Sequence, residues 1–378
     1  MTDVRLVFDT DTAGHHVEYI HHIYMKILEK TDNSYIIVVP EDFKLCEAQY
    51  IWPKAKHILF EFIPQDVVDK ANSSSMYVSS FRRTKLLSHY VKRFGATHVL
   101  LITLIKFIPF LPFVISKKIN VYGIIYKLYL YEWKDYSIIR KLLEIFKYQV
   151  LSYNNCIKKV FVLNDSSSAA RLNALYRVDK FVFLADPFND DNYKPRNIRG
   201  ELGIPAENLV FLHAGAMNRR KGTLTFLNSI LQIPQEKRKK MTFVIAGAIQ
   251  ADIKEEFERL LDIVKNKCQI VLYNEYCSNS FMADLFESSD CIVLPYEVTA
   301  QSSGLIGYAA HFRKPVIGPK TGLVGKLIRK YRLGIQPDEM NPVNLSVAIS
   351  HFTPYLLDTD YCSYATIGKF QKQICSYI

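Results

Sequence analysis

Apolar positions along the chain gather in short runs, and segments with helical spacing separate the runs. "VRLVFD" (4–9) reads as a buried strand, followed by the loop "TDTAGHH" (10–16) and a helix from about 17 to 30. "YIIVVP" (35–40), "THVLLITL" (97–104), "NVYGIIY" (120–126) and "KVFVLND" (159–165) are further strands. "SIIRKLLEIFKYQVLSY" (137–153) has apolar residues at helical spacing, and "SSSAARLNALY" (166–176) is a serine-capped helix. Alternation of this kind implies right-handed crossovers and a mostly parallel sheet.

The texture changes at 186–200. "DPFNDDNYKPRNIRG" is polar and has no period, as befits a linker between domains. A second series follows. Its strands are 209–215, 242–247, 269–274, 291–295 and 315–318, and its helices are 222–232, 252–265, 279–288 and 303–312. The expected class is α/β with two Rossmann-like domains. The first domain spans 1–187 and the second 188–350, and 351–378 is a helical segment expected to return to the first domain. A length of 378 residues suits two cores rather than one.

Composition changes this picture little, and charge changes it more. With 49% apolar and 22% charged residues the chain is globular rather than disordered. The net charge of +11 suits an anionic partner, whether nucleic acid, an acidic membrane or a phosphorylated small molecule. No zinc finger, RNA-recognition signature or basic helix-turn-helix is present, so nucleic acid is not expected. The seven scattered cysteines form no CxxC pair and point to a reducing, cytoplasmic compartment. The longest apolar stretch, "FIPFLPFVI" (107–115), is too short to span a bilayer.

Two strand ends in the second half invite a phosphate. "FLHAGAMNRRKG" (211–222) runs from a strand through Gly215 to Arg220 and Lys221 at the mouth of a helix. In open parallel sheets ligands sit beyond the carboxyl ends of strands, and a helix start with basic side chains suits phosphate oxygens. The plainer reading is a solvated basic turn. "AQSSGLIGYAAHFRKPVIG" (300–318) is the second such place, with Ser302 and Ser303 opening a helix at Gly304. Capping alone would explain the serines. Two phosphate-type mouths in one sheet favour a bound diphosphate.

These stretches, with "FVIAG", "IVLYNEY" and "DLFESSDCIVLPY", resemble the donor domain of family 4 glycosyltransferases, which have the twin-Rossmann B fold. "FDTDTAGHHVEYI" (8–20) is similar to that family's N-terminal glycine loop, and "FLADP" (183–187) to its hinge. The resemblance implies that Gly14, Gly215, Arg220, Lys221, Gln301, Ser302, Ser303, Gly304 and Leu305 contact the donor diphosphate and sugar. It implies nucleoside contacts for Tyr276, Glu297 and Tyr308. Two departures stand out. Ala216 replaces the usual arginine, and the family's paired glutamates fall near Ala300 or Gln301 and near Tyr308 or Ala309. A subgroup of bacterial polysaccharide enzymes is similar in both "SSG" and this change. The family's catalytic histidine has no match in "TLIKFIPF" (103–110), which leaves His15, His16 and Gln301 as candidates. The plainer reading of the two histidines, and of Asp9 and Asp11 beside them, is turn chemistry.

The expected activity is therefore retaining transfer of a sugar from a nucleotide-diphosphate donor to a glycan or lipid-linked acceptor, in bacterial polysaccharide or lipopolysaccharide synthesis. The nucleotide sugar is the substrate, and no cofactor and no metal are expected. The alternatives are a nucleotide-sugar epimerase of the same fold and a non-catalytic nucleotide- or nucleic-acid-binding protein. The mixture of Lys and Arg with Phe, Ile and Leu across 104–150 is expected to place the enzyme peripherally on an anionic membrane face.

Overall fold

The computed structural model describes residues 3–12, 14–47, 50–188 and 194–378. The expected linker at 186–200 lies partly outside them, at 189–193. The chain forms two compact units. Unit 1 comprises Met1–Tyr129, Trp133–Asp186 and Ile367–Ile378, and unit 2 comprises Leu130–Glu132 and Pro187–Thr366.

Unit 1 holds a seven-stranded parallel sheet. Its strands are β1 (Val4–Phe8), β2 (Ser34–Pro40), β3 (Ile58–Ile63), β4 (His98–Leu101), β5 (Asn120–Ile125), β6 (Ile157–Leu163) and β7 (Phe181–Leu184), in the order β3-β2-β1-β4-β5-β6-β7. Unit 2 holds a six-stranded parallel sheet of β8 (Leu209–Ala214), β9 (Met241–Ala246), β10 (Gln269–Tyr273), β11 (Cys291–Val293), β12 (Val316–Ile317) and β13 (Gly334–Ile335). Their order is β10-β9-β8-β11-β12-β13. The expected α/β architecture of two Rossmann-like sheets is what the chain adopts.

The central strands are the apolar runs read from the sequence, because helices cover both their faces. The strands that reading missed are all at edges. β3, "ILFEFI", mixes buried and exposed positions and borders the sheet on one side. β7 has only four residues, two of them half-buried. β13 has two, at the other sheet's edge. The nineteen-residue helix Met76–Phe94 also went unread. Its buried face carries Ser79, Ser80, Thr84 and Ser88, which blur the apolar period.

In each sheet the chain winds outward from one central strand, then returns to that strand's other side. This makes a switch point between β1 and β4 in unit 1, and another between β8 and β11 in unit 2. At such a point the flanking loops part and leave a crevice beyond the strand ends.

The segment expected to act as one tail from 351 is divided at 366/367. Phe352, Leu357, Tyr361 and Ala365 join the core of unit 2, whereas the helix Ile367–Cys375 packs in unit 1. There Phe370 is fully buried, its ring 5.0 Å from that of Tyr19. Gln371 donates to the His22 carbonyl at 2.9 Å, and the Gln373 side chain accepts from the Ala185 amide at 2.9 Å. Replacing Phe370 with alanine removes a fully enclosed ring. The expected loss is about 3–5 kcal/mol of unit 1 stability, read as a lower urea midpoint. A midpoint unchanged from the parent would contradict this packing.

Candidate functional site

The mouth of unit 2 is built by the loops after β8 and β11. After β8 the chain turns at Gly215, with φ +91°, and then forms a short 3₁₀ turn, Arg219–Lys221. Asn218 starts that turn by accepting from the Lys221 amide at 2.9 Å. Gly222 ends it at φ +68°. A Cβ on Gly222 would lie 1.8 Å from the Pro295 carbonyl oxygen, so only glycine lets the two loops touch. The Arg220 carbonyl then accepts from the amides of Glu297 and Val298, at 3.1 and 3.3 Å. Thr225 donates to the Glu297 carboxylate at 3.0 Å.

The three basic residues of this turn have different fates. Arg219 is exposed and reaches Glu256 at 3.5 Å, while its amide donates to Asp252. Arg220 is half-buried, and among the described residues its guanidinium has no partner. Lys221 has no carboxylate partner there either. Its Nζ donates to the Tyr296 hydroxyl at 2.5 Å and stands 4.2 Å from that ring's centroid. The absent Cβ of Gly215 would be 3.8 Å from Lys221 Nζ and 3.9 Å from Leu305 Cδ1. The ammonium therefore sits between the end of β8 and the helix Leu305–His311.

Ser303 does not cap that helix. Gly304 is the N-cap residue, and no side chain bonds to the helix start. Ser303 is buried, and its Oγ lies 2.8 Å from the Tyr296 hydroxyl. A line of polar contacts thus runs Ser303–Tyr296–Lys221 and fixes the ammonium in place. The helix is also shorter than expected, at seven residues. The side chain of Gln301 is half-buried, with no protein partner among the described residues.

The nucleoside candidates are spread out. Tyr276 is exposed on the loop after β10, two strands away from β8. Glu297 is held by Thr225. The ring of Tyr308 packs against Phe188, Phe286 and Phe312, with centroids 4.8, 5.2 and 6.4 Å away.

Two functional-looking residues escaped the sequence reading because each sits inside or beside an apolar strand. Tyr296 is one. The other is His213, fully buried near the end of β8. Its Nδ1 donates to the Val293 carbonyl at 3.1 Å, and its Nε2 accepts from Thr223 at 3.0 Å. Burial drives its pKa down to about 4, and nearby Lys221 adds to the effect.

In unit 1 the corresponding switch point gathers charged groups. His16 Nδ1 meets Asp9 Oδ2 at 2.5 Å, and Asp9 Oδ1 accepts from the amides of Thr10 and Asp11. Lys106, from the loop after β4, pairs with Asp11. Burial pushes the Asp9 carboxyl up. His16 is raised as well, because Asp9 outweighs the burial that would lower it. With Nδ1–H committed to Asp9, the imidazole keeps Nε2 for proton exchange. His15 instead pairs with Glu18 at 2.9 Å on the surface. Glu18 is held down to about 2 by His15 and His22, against the effect of its burial. Asp9, Asp11 and His16 offer possible ligand atoms within 4.8 Å of one another, and Lys106 already places a protein cation against Asp11. Gly14 takes φ +67° with open space where a Cβ would be.

With this geometry in hand, the comparisons are specific. Residues 208–352, all within unit 2, match the family model "Glycosyl transferases group 1". No curated protein sequence matches the chain. Among solved structures, HepE from Anabaena, in complex with UDP and glucose, has a TM-score of 0.65 at 13% identity. That match covers 100% of this chain and 99% of HepE. Sucrose-phosphate synthase from Thermosynechococcus elongatus gives 0.65 at 13% identity, covering 99% and 94%. WaaG, a glycosyltransferase involved in lipopolysaccharide biosynthesis, gives 0.65 at 13%, covering 92% and 90%. The structural likeness shows the twin-Rossmann B-type fold. The resemblance to glycosyltransferases read from the motifs holds, and unit 2 carries the group 1 segment.

His213 gives unit 2 a measurable pH dependence. Its folded pKa lies below the ordinary 6.5, so the unfolded chain takes up the proton first. The stability it contributes is complete above pH 6.5 and is lost as the pH falls towards 4. The difference between parent and His213→Asn in unit 2 unfolding free energy should narrow by about 2–3 kcal/mol from pH 7 to pH 4.5. Parallel pH profiles for the two proteins would contradict a buried neutral imidazole.

Proposed function

We propose that the protein is a glycosyltransferase that moves a sugar from a nucleotide-diphosphate sugar to a glycan or lipid-linked acceptor. The observation that carries this reading is the pair Arg220 and Lys221. Two adjacent cations with no carboxylate partner among the described residues stand at the switch point of unit 2, inside the segment that matches the group 1 model. Adjacent like charges repel, and an anion of about two charges relieves them. A diphosphate has that charge, and Arg and Lys bind its oxygens through charge-assisted hydrogen bonds. The UDP and glucose bound by HepE, and the lipopolysaccharide pathway of WaaG, support a nucleotide-sugar donor and a bacterial surface-glycan product.

In this reading the two cations do more than hold the donor. Charge builds on the leaving diphosphate as the glycosidic bond breaks, so donors already aimed at it stabilise the transition state more than the ground state. Lys221 is aimed in advance by Tyr296 and Ser303. Gln301, with an unengaged amide beside this mouth, is suited to a sugar hydroxyl. The reaction proceeds with retention, in the cytoplasm, and without a divalent ion, because the basic pair neutralises the diphosphate. His16, rather than His15, is the histidine suited to proton transfer.

Calorimetry with UDP tests the donor site. Lys221→Ala and Arg220→Ala should each weaken binding by about 1.5–3 kcal/mol. Ser303→Ala should weaken it less, through the freed Tyr296 hydroxyl. Unchanged affinity in both cation variants would sink the assignment.

Turnover in excess chelator addresses the metal. Activity is expected to persist. Complete loss, restored by Mg²⁺ or Mn²⁺, would reject metal-free transfer and turn attention to Asp9, Asp11 and His16.

A further inference from the structure

The helix Ile138–Tyr153 in unit 1 is turned the wrong way round for a water-facing helix. Its inward side carries the charged Lys147, which is buried and pairs with Glu144 at 2.7 Å, together with Tyr148, Leu151 and Ser152. Its outward side carries the large apolar residues. Ile138 is 77% exposed, Ile139 72%, Leu142 62% and Phe146 47%, and Leu143 is exposed with them. The spacing i, i+1, i+4, i+5, i+8 places all five on one stripe of an α-helix. Scattered exposed apolar residues need no explanation, but a continuous stripe marks a contact surface.

The residues at the start of the stripe indicate what covers it. Lys134, Arg140 and Lys141 cluster there, and of these Lys134 and Arg140 are exposed and Lys141 half-buried. The Arg140 guanidinium lies 3.9 Å from the centroid of Tyr136, and Lys141 Nζ lies 5.4 Å from that of Trp133. Basic groups laid over Trp and Tyr rings beside an apolar stripe match the layering of a lipid surface. There phosphates meet cations, a half-buried indole such as Trp133 sits at headgroup level, and alkyl chains take the aliphatic side chains, while the buried ring of Tyr136 supports Arg140 from below.

We propose that this face of helix Ile138–Tyr153 seats the protein on an anionic lipid bilayer. The insertion is interfacial, since among the described residues no helix is long and apolar enough to cross a membrane. Charge favours lipid over a second copy of the chain. At a net charge of +11, two copies repel, whereas an anionic surface attracts each added cation. The inference stands on unit 1 alone and does not depend on the donor site.

The experiment is co-sedimentation of the full chain with vesicles of phosphatidylcholine, alone or mixed with phosphatidylglycerol. The parent should bind the mixed vesicles, bind phosphatidylcholine weakly, and lose affinity as salt screens the charges. Ile139→Ser/Leu142→Ser/Phe146→Ser should lower affinity for mixed vesicles at least about tenfold while its melting temperature stays near the parent's, because the changed side chains face solvent. Lys134→Gln/Arg140→Gln/Lys141→Gln should lose the preference for mixed vesicles. In a Trp52→Phe background, Trp133 fluorescence should shift to the blue on binding. Three results would overturn the proposal. One is equal parent binding to both vesicles, or binding to neither. Another is a triple-serine variant that binds like the parent. The third is parent self-association that the serine variant abolishes while vesicle binding is absent, which would assign the stripe to a second copy.

Discussion

The contact between Gly222 and the Pro295 carbonyl sets the mouth of unit 2. Gly222 ends the loop after β8 and Pro295 begins the loop after β11, and β8 and β11 are neighbours only because the chain reverses its winding between them. Glycine brings the backbones together, and the Arg220 carbonyl then satisfies the two amides that follow Tyr296. The Lys221 side chain is thereby delivered to Tyr296, and Tyr296 is braced by Ser303. A bulkier residue at 222 would separate these loops. The cation pair would then lose its geometry even with every charged side chain still present.

How much of this was legible follows from what each residue packs against. Central strands announce themselves because both faces are covered, so β8, β9 and β11 read as largely apolar runs. Edge strands share their pattern with amphipathic loops, and β3 and β13 were lost for that reason. The basic mouth was visible because Arg220 and Lys221 follow a strand and a glycine. The role of Ser303 was not. A serine before a helix looks like a cap in any sequence, and only the fold shows its hydroxyl directed at a tyrosine seven residues earlier. Gly307 is another residue whose reason lies only in the fold. Its glycine is explained by Phe188, whose side-chain atoms would lie 3.1 Å from a Cβ there.

The excess positive charge is also distributed unevenly in function. Many lysines and arginines are answered locally: Arg219 by Glu256, Lys106 by Asp11, Lys147 by Glu144. All of these pairs cancel in the far field, and the exposed one, Arg219–Glu256, contributes little to stability. The informative cations are those the chain leaves unanswered or lays on aromatic rings. Among them are Lys221 at the 3₁₀ turn of unit 2, and Arg140 and Lys141 at the start of the helix Ile138–Tyr153. Net charge alone named an anionic partner without choosing one. The local accounting sets a compact basic turn in unit 2 apart from a basic edge beside an apolar stripe in unit 1.

The missing glutamates are a consequence of packing rather than an isolated loss. One falls near Tyr308 or Ala309. Ala309 is fully buried in the core of unit 2, and Tyr308 is wedged among Phe188, Phe286 and Phe312. A carboxylate at position 309 would be enclosed by the aromatic and aliphatic core, and burying an unpaired charge costs several kcal/mol. Restoring glutamate by a single substitution therefore works against the core.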